Sequence, residues 1–180
     1  MLLELVKHNN PILHKKTEDF DFCNPVCDPG ELVRDMGLLM VDKNGIGLAA
    51  PQVGISTSLF ILRGNDLAFF NPIIVNVGEE LIKLDEGCLS FPGLSFNISR
   101  PRNIRIRYQD VKGETHTKDY TGMTARCILH ELDHLDGIVF SQRVSKLKLQ
   151  MGIKKAKKHA NAVYTLEDFI FENGEFNDEC

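Results

Sequence analysis

The sequence predicts an α+β domain, a class in which helices and antiparallel strands occupy separate stretches of the chain. Three observations predict it. A capped amphipathic helix comes first, strand-like segments fill the middle, and a second, largely apolar helix follows the last of them. The 180 residues suit one domain with a sizeable core and are too few for two.

Residues 1–27 read as an irregular arm. The first helix starts at Asp28-Pro29-Gly30-Glu31, where Asp28 suits the N-cap, Pro29 the first helical position and Glu31 a capping box. Leu32, Val33, Met36, Leu39 and Met40 recur at helical spacing, and Asn44-Gly45 supplies the stop. Ile46 to Gly54 is a run of small residues with no clear period. Strands are expected over residues 58–63, 68–77, 81–84 and 103–109, the last alternating through Ile104, Ile106 and Tyr108. Asp110 to Gly113 can turn that strand back into 114–120 as a hairpin. A second helix is expected over 122–135, with Thr121 as N-cap and Gly137 as stop. A third is expected over roughly 146–162, and with the acidic tail from 167 to 180 it is placed at the periphery of the domain.

Hydrophobic residues make up 43% and charged residues 26%, which excludes a disordered chain. No apolar run approaches the roughly 20 residues that span a bilayer. The apolar start of the chain has neither a basic stretch before it nor a small-residue cleavage site after it, so a cytoplasmic protein is expected. A net charge of −4 gives no reason to expect nucleic acid or a membrane as partner. Five cysteines, an odd number, argue against a disulfide framework and leave each one as a buried hydrophobe, a metal ligand or a nucleophile.

The strongest chemical signal is His130-Glu131-Leu132-Asp133-His134, inside the second helix. Four residues advance about 400° around a helix, so the two imidazoles lie about 40° apart on one face and can share one ion. Glu131 is rotated about 100° from His130. There it can flank the ion and move a proton without ligating it. Ile128, Leu129, Leu132 and Leu135 around the motif imply a buried helix. Because HExxH is shared by unrelated metallohydrolases, the third ligand decides the class. The extension HExxHxxGxxH fits Gly137 but fails at Phe140, where a histidine is needed. For a downstream glutamate only tail residues such as Glu167 and Glu172 remain, in no recognisable context. Upstream, Cys88 in Glu86-Gly-Cys-Leu-Ser90 would complete a Cys/His₂ set with one open position.

Three segments, Gly45-Ile-Gly-Leu-Ala-Ala-Pro-Gln52, Glu86-Gly-Cys-Leu-Ser90 and His130-Glu-Leu-Asp-His134, resemble in order and spacing the three signature motifs of peptide deformylases. The likeness covers roughly residues 1–150 and departs at no position the motifs define. It implies a single catalytic domain over 1–180 with a deformylase-like fold, antiparallel sheets packed around a central HExxH helix. The implied reaction is hydrolysis of the N-formyl group from the N-terminal methionine of new polypeptides, releasing formate. Cys88, His130 and His134 are the implied ligands of one divalent metal, natively Fe²⁺, with Zn²⁺, Ni²⁺ or Co²⁺ able to replace it. Glu131 is the implied general acid and base, and the Gln52 amide with the Leu89 N–H the implied oxyanion donors. Gly47 and Gly87 match positions that pair with the extended peptide, while Ile46, Met123, Cys127 and His130 match the wall of the methionine pocket. Arg100 matches an arginine with a structural or substrate-end role; Arg126 is left between a solvent-facing position and the pocket mouth.

Cys23 and Cys27 have the wrong spacing for a metal or redox pair. His8, His14, His116 and His159 lack partners at ligand spacing and read as surface residues. Six lysines between 146 and 158 read as a solvated helix face or, through the resemblance, as a docking face for the ribosome. The chain is expected to be a monomer. A metallopeptidase built on the same HExxH helix and a zinc-stabilised module without catalysis are the alternatives.

Overall fold

A computed structural model describes residues 2–64, 68–160, 164–165 and 167–169. It shows the α+β architecture expected, with mixed helices and antiparallel sheets. Helix α1 (Pro29–Asp42) is capped as its sequence implies: Asp28 Oδ1 accepts the Glu31 N–H at 2.7 Å. The Glu31 carboxylate turns instead to Arg34, at 3.8 Å. Leu32, Met36 and Met40, spaced by four, make the buried stripe, and Asn44 ends the run at φ 56°.

Strands β1 (Gly47–Ala49), β2 (Leu59–Leu62), β3 (Ala68–Val77), β6 (Asn103–Gln109) and β7 (Thr115–Thr121) form one antiparallel sheet in the order β1-β2-β3-β6-β7. Strands β4 (Leu81–Gly87) and β5 (Ser95–Pro101) form a separate hairpin. Two strands were not anticipated. All three residues of β1 are buried, so no alternation marks it. In β5 the inward positions are Phe96, Ile98 and Arg100, and an arginine in that series hides the period of two. Strand β4 also runs three residues beyond the expected 84, as far as Gly87, carrying Glu86 to the motif that follows.

Helix α2 (Gly122–Leu135) has the bounds expected, and every residue from Ile128 to Leu135 is buried. Its last two turns are buried on every side, while Met123 and Thr124 near its start are exposed. Thr121 stands at its N-cap, but the hydroxyl donates to Asn103 Oδ1 at 2.6 Å and caps nothing. The C-terminus closes as a Schellman turn, with Ile138 N–H on Asp133 O at 2.8 Å and Gly137 N–H on His134 O at 3.3 Å. Gly137 is required twice over: its φ is 73°, and a Cβ there would lie 2.8 Å from the backbone of His14 and Lys15, where the N-terminal arm crosses the helix end.

Helix α3 (Lys146–Ala160) starts where expected; residues 161 and 162 lie outside the described residues, as does the tail from 170. Placed at the edge in the sequence reading, the C-terminal region nonetheless sends Leu149, Ile153, Ala156, Tyr164 and Phe169 into a core shared with Phe91, Phe96 and Phe140. Its lysines 146, 148, 154, 155, 157 and 158 are all exposed.

Of the four histidines read as surface residues, His8, His14 and His116 are half-buried, and the side chain of His159 lies outside the described residues. His8 packs on Tyr164 and pairs with Asp168, and burial pulls His14 down to about 4. His116 Nε2 meets Asp110 Oδ2 at 2.8 Å, and these two converge with Glu114 at ligand spacing. Spacing missed them because the partners come from other elements or across a turn. Cys23 and Cys27 are exposed and unbridged.

Replacing Gly137 with alanine is expected to lower stability by more than about 1 kcal/mol, since both the dihedral and the crossing arm oppose a side chain. A drop in the urea midpoint at unchanged slope checks it; an unchanged midpoint would contradict the crossing geometry.

Candidate metal centre and active-site cleft

The three elements that carry the motifs meet at one point. α2 presents His130 and His134 with ring centroids 5.2 Å apart, and Cys88 follows directly from the end of β4. Ligand atoms of Cys88, His130 and His134 all lie within 4.8 Å of one another, with Cys88 Sγ 3.3 Å from His134 Nε2. One thiol and two imidazoles at this spacing make a possible metal site with room for a further ligand.

Two observations support the fit. Glu86 Oε2 lies 3.2 Å from His130 Nδ1, so the carboxylate accepts the Nδ1–H hydrogen bond and leaves Nε2 bare for an ion. Glu131 Oε2 is buried and meets no protein donor among the described residues, as expected of a group facing an external partner. Burial pushes the Glu131 carboxyl up to about 7 against the opposing charges of His130 and Arg100. A carboxyl so placed can exchange a proton near neutral pH.

Gln52 sits in a short 3₁₀ turn (Ala50–Val53) and is 2% exposed. The Ala49 N–H donates to its Oε1 at 2.9 Å, which fixes the orientation of the amide. Its NH₂ therefore faces Ser90 Oγ at 3.0 Å and Cys88 Sγ at 3.5 Å, beside the ligand cluster. A cleft of about 380 Å³ opens over these groups. Every other expected site residue lines it: Ile46, Gly47, Gly87, Leu89, Met123 and Cys127. Burial, with the charges of Glu131 and Glu86, pushes the Cys127 thiol up to about 11, so it lines the cleft as a neutral group. Gly47 has a reason of its own to be glycine. A methyl group there would fall on the Glu131 carboxylate.

Sequence reasoning missed the charged support beneath the cluster. Glu86, Arg100, Arg126 and Asp133 are each at most 7% exposed. Arg100 donates Nε to Glu86 Oε1 at 2.7 Å, Nη2 to Glu86 Oε2 at 2.9 Å and Nη1 to Asp133 Oδ2 at 2.8 Å. Arg143 holds the other side of Asp133, and Arg126 a further side of Glu86. Burial alone would raise Glu86, but hydrogen bonds from His130 and Arg100, with the Arg100 charge, outweigh it and hold the carboxyl down to about 2. Arg126 thus does not face solvent: it is buried and lines the cleft, the second of its two expected positions, and Arg100 is structural. The signals available were Glu86 and Asp133 themselves, since a charge inside an apolar motif demands a partner; nothing marked Arg143.

Residues 2–150 match the polypeptide deformylase family. The chain belongs to that family. It is 41% identical over 143 residues to a peptide deformylase of Wolbachia pipientis, covering 71% of this chain and 80% of the relative. A peptide deformylase of Prochlorococcus marinus is 39% identical over 161 residues, covering 85% of this chain and 78% of the relative. The crystal structure of a Synechococcus elongatus peptide deformylase in complex with actinonin matches with a TM-score of 0.80 at 32% identity, over 90% of this chain and 91% of that one. A Plasmodium falciparum peptide deformylase in complex with inhibitor matches at 0.77 and 34%, over 86% of this chain and 97% of that one. The deformylase fold expected from the three motifs is therefore the fold observed.

Replacing Arg100 with methionine leaves Asp133 with Arg143 alone and Glu86 with Arg126 and His130. Breaking a buried ion pair from one side costs about 3–5 kcal/mol. The variant is expected to lose stability of that order in chemical denaturation, and a loss under about 1 kcal/mol would show that Arg100 is not what neutralises the pair.

Proposed function

We propose that Cys88, His130 and His134 hold one divalent ion and that Glu131 moves the proton in the hydrolysis this chain carries out. As a member of the deformylase family, the chain removes the N-formyl group from the N-terminal methionine of newly made polypeptides and releases formate. The observation that carries the site assignment is the convergence of the three donor atoms beside the buried Glu131 carboxylate, whose Oε2 meets no protein donor among the described residues.

A divalent ion on these ligands would acidify water and draw electron density from the formyl carbonyl. Glu131 takes the proton from the attacking water and returns it to the departing methionine nitrogen. The Gln52 amide, already aimed at the cluster, and the Leu89 N–H receive the oxyanion. Ile46, Met123, Cys127 and the ring of His130 wall the methionine side chain, while the backbones of Gly47 and Gly87 pair with the extended peptide. The native ion of this reading is Fe²⁺, with Zn²⁺, Ni²⁺ or Co²⁺ able to take its place, since a thiolate and two imidazoles accept all four. The reading includes a cytoplasmic, monomeric protein; among the described residues no helix is long and apolar enough to cross a membrane.

A second contact is supported by α3, whose six lysines all face outward. That charge fits the phosphate-rich surface of the ribosome, where formylated chains emerge.

The assay is formate release from a formyl-methionyl peptide. Glu131→Gln is expected to retain metal and lose about 10²- to 10⁴-fold in turnover, and Cys88→Ser to lose metal as well. Cleavage of internal peptide bonds without formate would reject the reading in favour of a peptidase, a wild-type chain that binds metal but releases no formate would favour a non-catalytic module, and full activity of the Glu131 variant would reject Glu131 as the proton carrier. Activity is expected to decay on exposure to air, through oxidation of the iron; a preparation stable for days in air would argue against Fe²⁺. Reversing the charge of lysines 154, 155, 157 and 158 is expected to abolish co-sedimentation with ribosomes, and unchanged co-sedimentation would remove α3 as the contact.

A further inference from the structure

Arg126 and His130 stand four residues apart on α2, and both reach the same carboxylate. Arg126 Nη1 donates to Glu86 Oε1 at 2.5 Å, while His130 Nδ1 faces Glu86 Oε2 at 3.2 Å. Arg100 supplies one further donor to each oxygen, at 2.7 Å and 2.9 Å. Four donors fill the roughly four acceptor positions a carboxylate offers. Arg100 by itself already neutralises Glu86, in the bidentate geometry that carboxylates favour. A second guanidinium is therefore not needed for charge.

What Arg126 adds is position. It ties Oε1 to the same helix that carries His130, so the carboxylate cannot rotate about its last bond and Oε2 stays on His130 Nδ1. Its remaining bonds leave the helix altogether. Nη1 also donates to the Ile98 carbonyl of β5 at 3.0 Å, and Nη2 donates to the Ile82 carbonyl of β4. One side chain thus fastens both strands of the β4–β5 hairpin to α2. Cys88 lies one residue past the end of β4, and His130 one turn along α2.

We propose that Arg126 is a positioning residue for the metal centre: it sets where the Cys88 sulfur stands relative to the two imidazoles, acting through Glu86 and the β4–β5 hairpin. The proposal rests on Cys88, His130 and His134 being metal ligands and is independent of the substrate. Outer-shell partners of this kind contribute about 10- to 100-fold to metal affinity.

The test uses the full chain, stripped with a chelator and titrated with Co²⁺, whose ligand-field and thiolate bands report the ligand set without catalysis. Wild type is expected to bind one Co²⁺ per chain with a thiolate band. Arg126→Met is expected to bind about 10- to 100-fold more weakly, with shifted ligand-field bands. Arg126→Lys, which returns the charge to Glu86 but cannot reach both carbonyls, falls between the two. A folded Arg126→Met chain, by circular dichroism, with wild-type cobalt affinity and spectrum overturns the proposal; if that variant does not fold, the same result from Arg126→Lys overturns it. A raised KM with cobalt binding unchanged makes Arg126 a substrate contact and overturns it equally. Wild type that takes up no cobalt overturns the metal reading, and the proposal with it.

Discussion

A carboxylate taken out of water loses several kcal/mol of solvation, and an isolated one would simply take up a proton. Glu86, at 6% exposure, stays ionised because Arg100, Arg126 and His130 surround it with donors. Arg100 carries the balance on to Asp133, and Arg143 closes the series. Positive and negative groups alternate through the whole set, so no member stands uncompensated. The ordering of β4, β5 and α2 around the cleft depends on this chain of charges. It joins a hairpin that shares no ladder with the main sheet to the helix that carries the histidines.

Such a network adds little net stability, because the Coulomb attraction mainly offsets desolvation. Its value lies in geometry. A metal site needs its ligands held to within about half an ångström, and an apolar contact between hairpin and helix would permit sliding. Hydrogen bonds from guanidinium groups to fixed carbonyls and carboxylates do not. The same Glu86 also selects the tautomer of His130, so one buried acid serves both the packing of the hairpin and the chemistry of the ring.

Above the network the cleft combines apolar walls with a few aimed polar groups. Gln52 is held from behind by the Ala49 N–H, which leaves its donors forward. Gly47 leaves the space that Glu131 fills. The C-terminal region supports the loop after Cys88 from below: Phe169 stacks on Phe91 and the Tyr164 hydroxyl donates to the Pro92 carbonyl at 2.8 Å.

The sequence alone determined whatever depends on neighbours along the chain. The bounds of α2 follow from a buried apolar run and a glycine stop, the α1 cap from Asp28, and the β6–β7 hairpin from alternation and its turn. The three motifs carried the family, and with it the residues expected in the cleft. Only the tertiary structure decided what depends on partners distant in sequence. Strand β5 stayed hidden because Arg100 points inward, and an inward arginine is intelligible only once Glu86 and Asp133 are seen facing it. Arg126 could be read toward solvent or toward the pocket; its three acceptors, on β4 and β5, bury it against the hairpin where it lines the cleft. His116 looked solitary because Asp110 meets it across a turn. A buried charge is specified by what surrounds it, and in this protein those surroundings come from four separate stretches of chain.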